Sequence, residues 1–270
     1  MIFVTGDCHG DWRRFELEYF PEQVEMTRDD FVIIVGDFGI WNGGVDEEIA
    51  LNRLAQKPFT TLFIDGNHEN FDRLLGDEFR EVDFHGGKAK LIRNNIIYLE
   101  RGYVYELQNK KFFVFGGAAS HDIRDGVFAI DGHTRHLRGE DNGTYFRYVD
   151  KDFGTLSNVI NAYRNTNGIS RVQGWSWWRE EMPCAEEMQR GIDNLDAVGN
   201  QVDFVLTHCA PTEIVSLLFP NQRRVSDTAT RYLTSIANTT DFKKWFFGHY
   251  HDNRNFGRYI LLYEQIIQIA

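Results

Sequence analysis

Three apolar runs in the first quarter of the chain each stop at a glycine beside an acidic or amide residue. Ile2-Phe3-Val4 leads into Gly6-Asp7, Phe31 to Val35 into Gly36-Asp37, and Thr61 to Ile64 into Asp65-Gly66-Asn67. Positions 7, 37 and 67 lie 30 residues apart, the length of one β-α-β step. A run that is apolar throughout suits a strand buried on both faces. Trp12, Phe15, Tyr19 and Phe20 recur at helical spacing after the first run, and Val45, Ile49 and Leu54 after the second. Alternating strands and helices favour a parallel sheet with right-handed crossovers. Successive strands then deliver their C-terminal ends to one edge, where open α/β sheets bind ligands. The pattern returns late: Phe204 to Leu206 ends in Thr207-His208, and Trp245 to Phe247 in Gly248-His249-Tyr250-His251.

The middle of the chain differs. Ile96 to Leu99, Tyr103 to Leu107 and Phe112 to Phe115 are closely spaced, and Asn109-Lys110 predicts a hairpin turn. From Ser120 to about Gly174 periodicity weakens. Turn clusters at Gly139-Glu140-Asp141-Asn142-Gly143 and Asn165-Thr166-Asn167-Gly168 flank one short helix, about Leu156 to Arg164. Residues 120–174 therefore read as an insertion, a lid or binding loop, within one domain spanning 1–270; a solvated excursion without a role is the alternative. Pro183 reads as the first residue of a helix bearing Met188, Ile192 and Leu195. Ser226 reads as the cap of another carrying Tyr232, Leu233 and Ile236. Tyr259 to Tyr263 and Ile266 to Ile269 are the final apolar runs.

Composition narrows the partners. With 29 basic and 40 acidic residues the net charge is −11, which speaks against stable binding of nucleic acid through its phosphates. Nucleotides or phosphoproteins held through metal ions remain open. At 42% apolar and 26% charged residues the chain is neither disordered nor collagen-like. Cys8, Cys184 and Cys209 form no C-x-x-C pair, so neither a disulfide framework nor a thiolate zinc site is expected, and reduced thiols fit the cytoplasm. Met1 to Thr5 run straight into a turn with no basic or long apolar leader, so no signal peptide is expected. No stretch of about 18 apolar residues occurs, so no membrane span is expected.

The strand-end turns offer Asp7, His9, Asp37, Asn67, His208, His249 and His251, with His68 alongside. Two carboxylates, one amide oxygen and four imidazoles suit manganese, iron or zinc better than magnesium or calcium. Seven donors are too many for one ion. They suit two ions about 3.5–4 Å apart sharing a carboxylate, the arrangement of many phosphatases and nucleases. On extended segments Asp7 and His9 share a face, as do His249 and His251. A single buried histidine is as readily a core residue as a ligand; the weight lies in the set.

Gly6-Asp7-Cys8-His9-Gly10, Gly36-Asp37-Phe38-Gly39, Gly66-Asn67-His68-Glu69, Thr207-His208 and Gly248-His249-Tyr250-His251 together resemble the five signature motifs of calcineurin-like metallophosphoesterases, in the family's order and over nearly the whole chain. The resemblance implies an α/β fold of four layers, two mixed β-sheets packed together with helices outside. It implies Asp7, His9 and His251 on one divalent ion, Asn67, His208 and His249 on the other, and Asp37 bridging, with manganese first and iron or zinc as alternatives. His68 would sit beside the scissile phosphate, held protonated by Asp37 or Asp65. A hydroxide shared by the ions would attack phosphorus. The implied enzyme is a phosphoester hydrolase, a phosphatase of the Ser/Thr protein phosphatase kind, acting on a phosphorylated small molecule, nucleotide or phosphoprotein. A phosphodiesterase acting on nucleotides or other diesters is the alternative. A scaffold that has lost catalysis would show missing ligands, and none is missing.

Other residues invite a role. His85-Gly86-Gly87 is similar to a histidine motif of the Ser/Thr protein phosphatases, but no apolar strand leads into it; His85 and His121 are candidates for substrate contact, together with Asn67 and His68. Ser120-His121-Asp122 could line the pocket, yet three adjacent residues cannot converge as a nucleophilic triad must. Cys8 and Cys209, next to candidate ligands, are expected only to pack, and Trp175, Trp177 and Trp178 read as core.

Overall fold

A computed structural model of the chain describes residues 1–41, 43–138, 144–148, 153–221 and 226–270. β1 (Ile2–Thr5), β2 (Phe31–Val35) and β3 (Thr60–Ile64) lie parallel in that order, with α1 (Val45–Ala55) returning the chain from β2 to β3. After the short α2 (Phe71–Leu75), β4 (Arg80–Phe84), β5 (Gly87–Arg93) and β6 (Ile96–Leu99) add to the same sheet, β6 parallel beside β3, β5 antiparallel to β6 and β4 antiparallel to β5. β7 (Tyr103–Leu107) and β8 (Lys110–Phe115) begin a second sheet as a hairpin. β9 (Gly126–Ala129), β10 (Gly132–Arg138), β11 (Thr144–Tyr148), α3 (Leu156–Arg164) and β12 (Ser170–Val172) come next. α4 (Ala185–Ala197) leads to β13 (Phe204–Thr207), and α5 (Thr212–Leu218) and α6 (Thr228–Thr239) to β14 (Lys244–Phe247). β15 (Arg254–Phe256), β16 (Tyr259–Leu261) and β17 (Ile267–Gln268) finish the order.

The seven-stranded sheet runs β17-β1-β2-β3-β6-β5-β4 and the six-stranded sheet β15-β16-β14-β13-β8-β7. Strand alternation assigns their faces. Ile2, Val4, Ile33, Val35, Leu62 and Ile64 of the first sheet meet Phe112, Val114, Phe204, Leu206 and Phe246 of the second in one apolar core. The opposite side chains, Phe3, Val32, Ile34 and Phe63, pack with Phe15, Leu51 and Leu54 outside the first sheet. Phe113, Phe115, Val205, Trp245 and Phe247 pack with Leu195, Leu233 and Ile236 outside the second. The central strands β1, β2, β3, β13 and β14 are thus covered on both faces and apolar along most of their length, whereas β4 and β15 at the sheet edges are polar and largely exposed. This is the expected four-layer arrangement of two mixed sheets with helices outside.

Residues 120–174 are better ordered than their weak periodicity predicts. They form a four-stranded sheet, β11-β10-β9-β12, with α3 against it. Small apolar clusters hold it: Ile123, Val127 and Trp177 in one, Phe128, Val159 and Val172 in another. β9 and β12 are only four and three residues long and β10 is rich in polar and basic residues, so no long apolar run marks them. The turn cluster expected at 139–143 lies outside the described residues.

Other local expectations shift. The spacing of Trp12, Phe15 and Phe20 yields single 3-10 turns at Arg13–Phe15 and Pro21–Glu25, interrupted before an α-helix can form. The β7–β8 turn is centred on Gln108 and Asn109, both with positive φ, as a tight hairpin requires. Pro183 precedes α4, whose cap is Cys184. Asp227, not Ser226, caps α6, its carboxylate accepting from the Thr230 amide. No helix among the described residues is long and apolar enough to cross a membrane.

Candidate metal centre

The parallel strands β1, β2 and β3 of one sheet and β13 and β14 of the other end at a common edge. Ligand-type atoms of Asp7, His9, Asp37 and His251 all lie within 4.8 Å of one another there. Asp7 Oδ2 is 3.2 Å from His251 Nε2, and the His9 and His251 Nε2 atoms are 3.0 Å apart. Asp37 Oδ2 is 3.8 Å from His9 Nε2 and 3.4 Å from His208 Nε2. His208 Nε2 is 3.2 Å from Asn67 Oδ1, and the His249 ring lies 4.9 Å from the His208 ring. Asp7, His9, Asp37 and His251 thus form one group, His208 and Asn67 adjoin it through Asp37, and the His249 ring stands beside His208.

Backbone geometry aims them. His9, Asp37, His249 and His251 all have positive φ, a conformation that costs non-glycine residues about 1–3 kcal/mol and gathers at functional sites. Asp7/His9 and His249/His251 thus meet through tight left-handed turns rather than along the extended segments expected. Close approach explains two glycines: a Cβ at Gly36 would lie 2.0 Å from His208 Nδ1, and one at Gly66 would lie 1.9 Å from Asp37 Oδ1. Glu69, buried two residues after Asn67, accepts from the amides of Phe38, Gly39 and Ile40 and so fixes the loop that carries Asp37. Burial, with Asp37 nearby, raises the Glu69 pKa well above its ordinary value.

The polarity of the cluster fits cations. Asp7 and Asp37 are buried, and among the described residues neither pairs with a lysine or arginine. Buried carboxylates are costly without a compensating positive charge. Burial would lower the His208 pKa, but Asp37 and Asp7 overcome this and push it up to about 10. Nδ1 of His208 is 2.9 Å from the Val35 carbonyl, so it donates there, leaving Nε2 to face Asp37 and Asn67. Burial first, and His208 next, hold His249 well below its ordinary pKa, as a neutral imidazole with a free lone pair. Oxygen and imidazole donors facing inward in this way match the donor set of a divalent-metal centre.

His68 stands beside the cluster. Its amide donates to Asp37 Oδ1 at 2.8 Å, and its ring is 5.6 Å from that of His9 and 6.1 Å from that of Trp41. Burial lowers its pKa, and Asp37 offsets this only in part, so the expectation of a protonated His68 is not met. Asp65 is no partner to it: that carboxylate is engaged by Arg101 and Tyr98. The His121 ring, at the start of the inserted segment, is 4.8 Å from that of His249. The next residue, Asp122, holds Arg171 of β12.

His85 lies elsewhere. It occupies the β4–β5 turn, 3.0 Å from the Glu106 carbonyl and edge-on to Phe31, the first residue of β2, whereas Asp37 follows the last. Its glycine-flanked motif marks a hairpin turn. Cys8 and Cys209 are buried, and burial pushes the Cys8 thiol up to about 12. Trp177 and Trp178 are buried, and Trp178 Nε1 donates to Asp72. Sequence reasoning missed the parts played by Glu69 and Glu181, and offered Ser120 only as pocket lining. Ser120 Oγ accepts from Asn67 Nδ2 and donates to buried Glu181. Glu69 had a signal, its place two residues after a candidate ligand; Glu181 had none.

The family model for calcineurin-like phosphoesterases matches residues 1–253. The crystal structure of phosphopantetheinyl hydrolase from Mycobacterium tuberculosis aligns with 97% of this chain and 89% of its own, at 12% identity and a TM-score of 0.44. No curated protein matches the sequence.

Proposed function

This chain belongs to the calcineurin-like phosphoesterase family, metal-dependent hydrolases of phosphoric esters, and from that premise we propose that it is a phosphatase that cleaves a phosphomonoester at a two-metal centre. The observation that carries the reading is the convergence of Asp7, His9, Asp37 and His251 within 4.8 Å, extended through Asp37 and His208 to Asn67. Asp7, His9 and His251 would hold one ion and Asn67, His208 and His249 the other, with the Asp37 carboxylate available to both. The oxygen and imidazole set favours manganese, with iron or zinc next. When bound, two such ions lower the pKa of a shared water, so that hydroxide is available near neutral pH, and draw charge from the phosphoryl oxygens.

The chain's own groups do the rest. Asp37 would supply a negative charge to the ions, and the His68 amide fixes its rotation. His208 spends its Nδ1 proton on Val35, which orients Nε2 toward the centre. His68, neutral and next to the cluster, offers a ring N–H to the phosphoryl oxygens and stabilises the charge that develops on them. Residues 120–174, with His121 against the cluster and Arg171 held by Asp122, act as a lid within one domain and set substrate choice. The substrate is a phosphorylated small molecule, nucleotide or phosphoprotein. Free Cys8, Cys184 and Cys209 support a cytoplasmic location.

The test is a panel of mono- and diesters assayed after chelation and after return of manganese, iron or zinc. Chelation is expected to abolish hydrolysis and manganese to restore it, with monoesters preferred. Full activity after chelation overturns the reading, and a diester preference replaces the phosphatase with a phosphodiesterase.

A further inference from the structure

Asn67 has a side chain with two chemically opposite ends, and only its oxygen can hold a cation. That oxygen faces His208 Nε2 at 3.2 Å, while Nδ2 donates to Ser120 Oγ at 3.1 Å. A serine hydroxyl has a single proton, so the partner that takes it decides what the oxygen offers elsewhere. Ser120 Oγ donates to Glu181 Oε2 at 2.7 Å, and the Ser120 amide donates to Oε1 at 2.9 Å. With its proton committed to Glu181, Ser120 has only lone pairs for Asn67, and these accept the NH2 end.

We propose that Glu181 is a positioning residue that acts through Ser120 to hold the Asn67 amide with its oxygen toward the metal centre. The inference rests on the ligand reading of Asn67 given above. Glu181 is 2% exposed, and its carboxyl bonds to Ser120 and Trp177 rather than to a basic side chain. A buried carboxyl without a cationic partner is costly, and burial pushes this one up to about 8. Ser120 and Glu181 also close the base of the inserted sheet: the Ala118 amide donates to the Glu181 carbonyl at 3.1 Å, and Arg101 Nη2 donates to that of Glu180 at 2.8 Å. One carboxyl thus ties both ends of the insert to a candidate ligand.

Glutamine at 181 keeps the shape but places an NH2 where Oε2 accepts. The Ser120 proton is then released toward Asn67, whose nitrogen end turns inward. Apo full-length protein titrated with Mn²⁺ by calorimetry at pH 8.5 under argon tests this in the wild type, Glu181→Gln, Ser120→Ala, Asn67→Asp and the Asn67→Asp/Glu181→Gln pair. The wild type is expected to bind two ions. Glu181→Gln weakens one of them by about 10–100-fold and leaves the other, and Ser120→Ala weakens the same one. An aspartate at 67 has two equivalent oxygens and no orientation to set, so in that background Glu181→Gln adds no more than about twofold. Wild-type affinity at both sites in Glu181→Gln and Ser120→Ala, with only the thermal midpoint lowered, would assign Glu181 to packing of the insert and overturn the proposal. So would an undiminished effect of Glu181→Gln beside Asn67→Asp. A wild type that binds fewer than two ions overturns the ligand reading first, and this inference with it.

Discussion

Gly36→Ala isolates how the two sheets share the centre. Gly36 has φ +98°, and a Cβ there would lie 2.0 Å from His208 Nδ1. An ordinary contact begins near 3.4 Å, so the two must part by 1.4 Å. His208 has nowhere to go: it is fully buried, with Nδ1 on the Val35 carbonyl and the His249 ring behind it. Retreat breaks the Val35 hydrogen bond, worth about 0.5–1.5 kcal/mol net, and carries Nε2 off Asp37 and Asn67. A displacement of about 1 Å near reacting atoms can cost about 10²-fold in rate. The left-handed backbone adds about 1–3 kcal/mol of strain. Gly257→Ala serves as the control, because Gly257 has φ +72° with nothing within 4 Å of its Cβ position; it carries the backbone strain alone. Thermal unfolding, Mn²⁺ titration and kcat/KM on an aryl phosphate are measured for both. Gly257→Ala should lose stability and keep metal and activity. Gly36→Ala should lose more stability, weaken one ion and lower kcat/KM by about two orders of magnitude. If the two variants match in metal affinity and rate, the packing argument is wrong.

Asp37→Ala should reduce the content of both ions and His208→Ala mainly that of one; elemental analysis showing two ions in Asp37→Ala refutes the bridge. His68→Asn should keep both ions and lose about 10²–10³-fold in kcat. Because burial holds His68 neutral, the loss should be equal for good and poor leaving groups; a loss that shrinks for nitrophenyl phosphate would make it the proton donor instead. Replacing residues 126–172 with a Gly-Ser linker spares Ser120 and Glu181, so ion content should hold while the order of preference among substrates changes. Unchanged kinetics across the panel would remove the lid role.

Legibility followed burial. A strand covered on both faces must be apolar throughout, so β1, β2, β3, β8, β13 and β14 announced themselves, and the polar residue ending most of them marked a candidate donor. In the inserted sheet β9 and β12 are very short and β10 is rich in polar and basic residues, so its strands carry no such run. His85 misled because Gly86-Gly87 reads the same at a ligand-bearing turn and at a hairpin, and only its place against Phe31 and Glu106 separates the two.

The sequence by itself determined the layered α/β class, the donor types and the 30-residue rhythm that sends the first three donors to one edge. Those are local properties, written in apolar runs and in the turns that end them. Tertiary structure alone decided that the second sheet stands against the first with His208 and His249 facing Asp37 and Asp7, because that depends on one inter-sheet core that joins residues as distant in sequence as Ile2 and Phe246. It alone decided that His9, Asp37, His249 and His251 turn inward through left-handed backbone, and that Glu181 reaches Asn67 through Ser120. A buried carboxyl has the same letter as an exposed one, and only the chain packed around it gives it a partner.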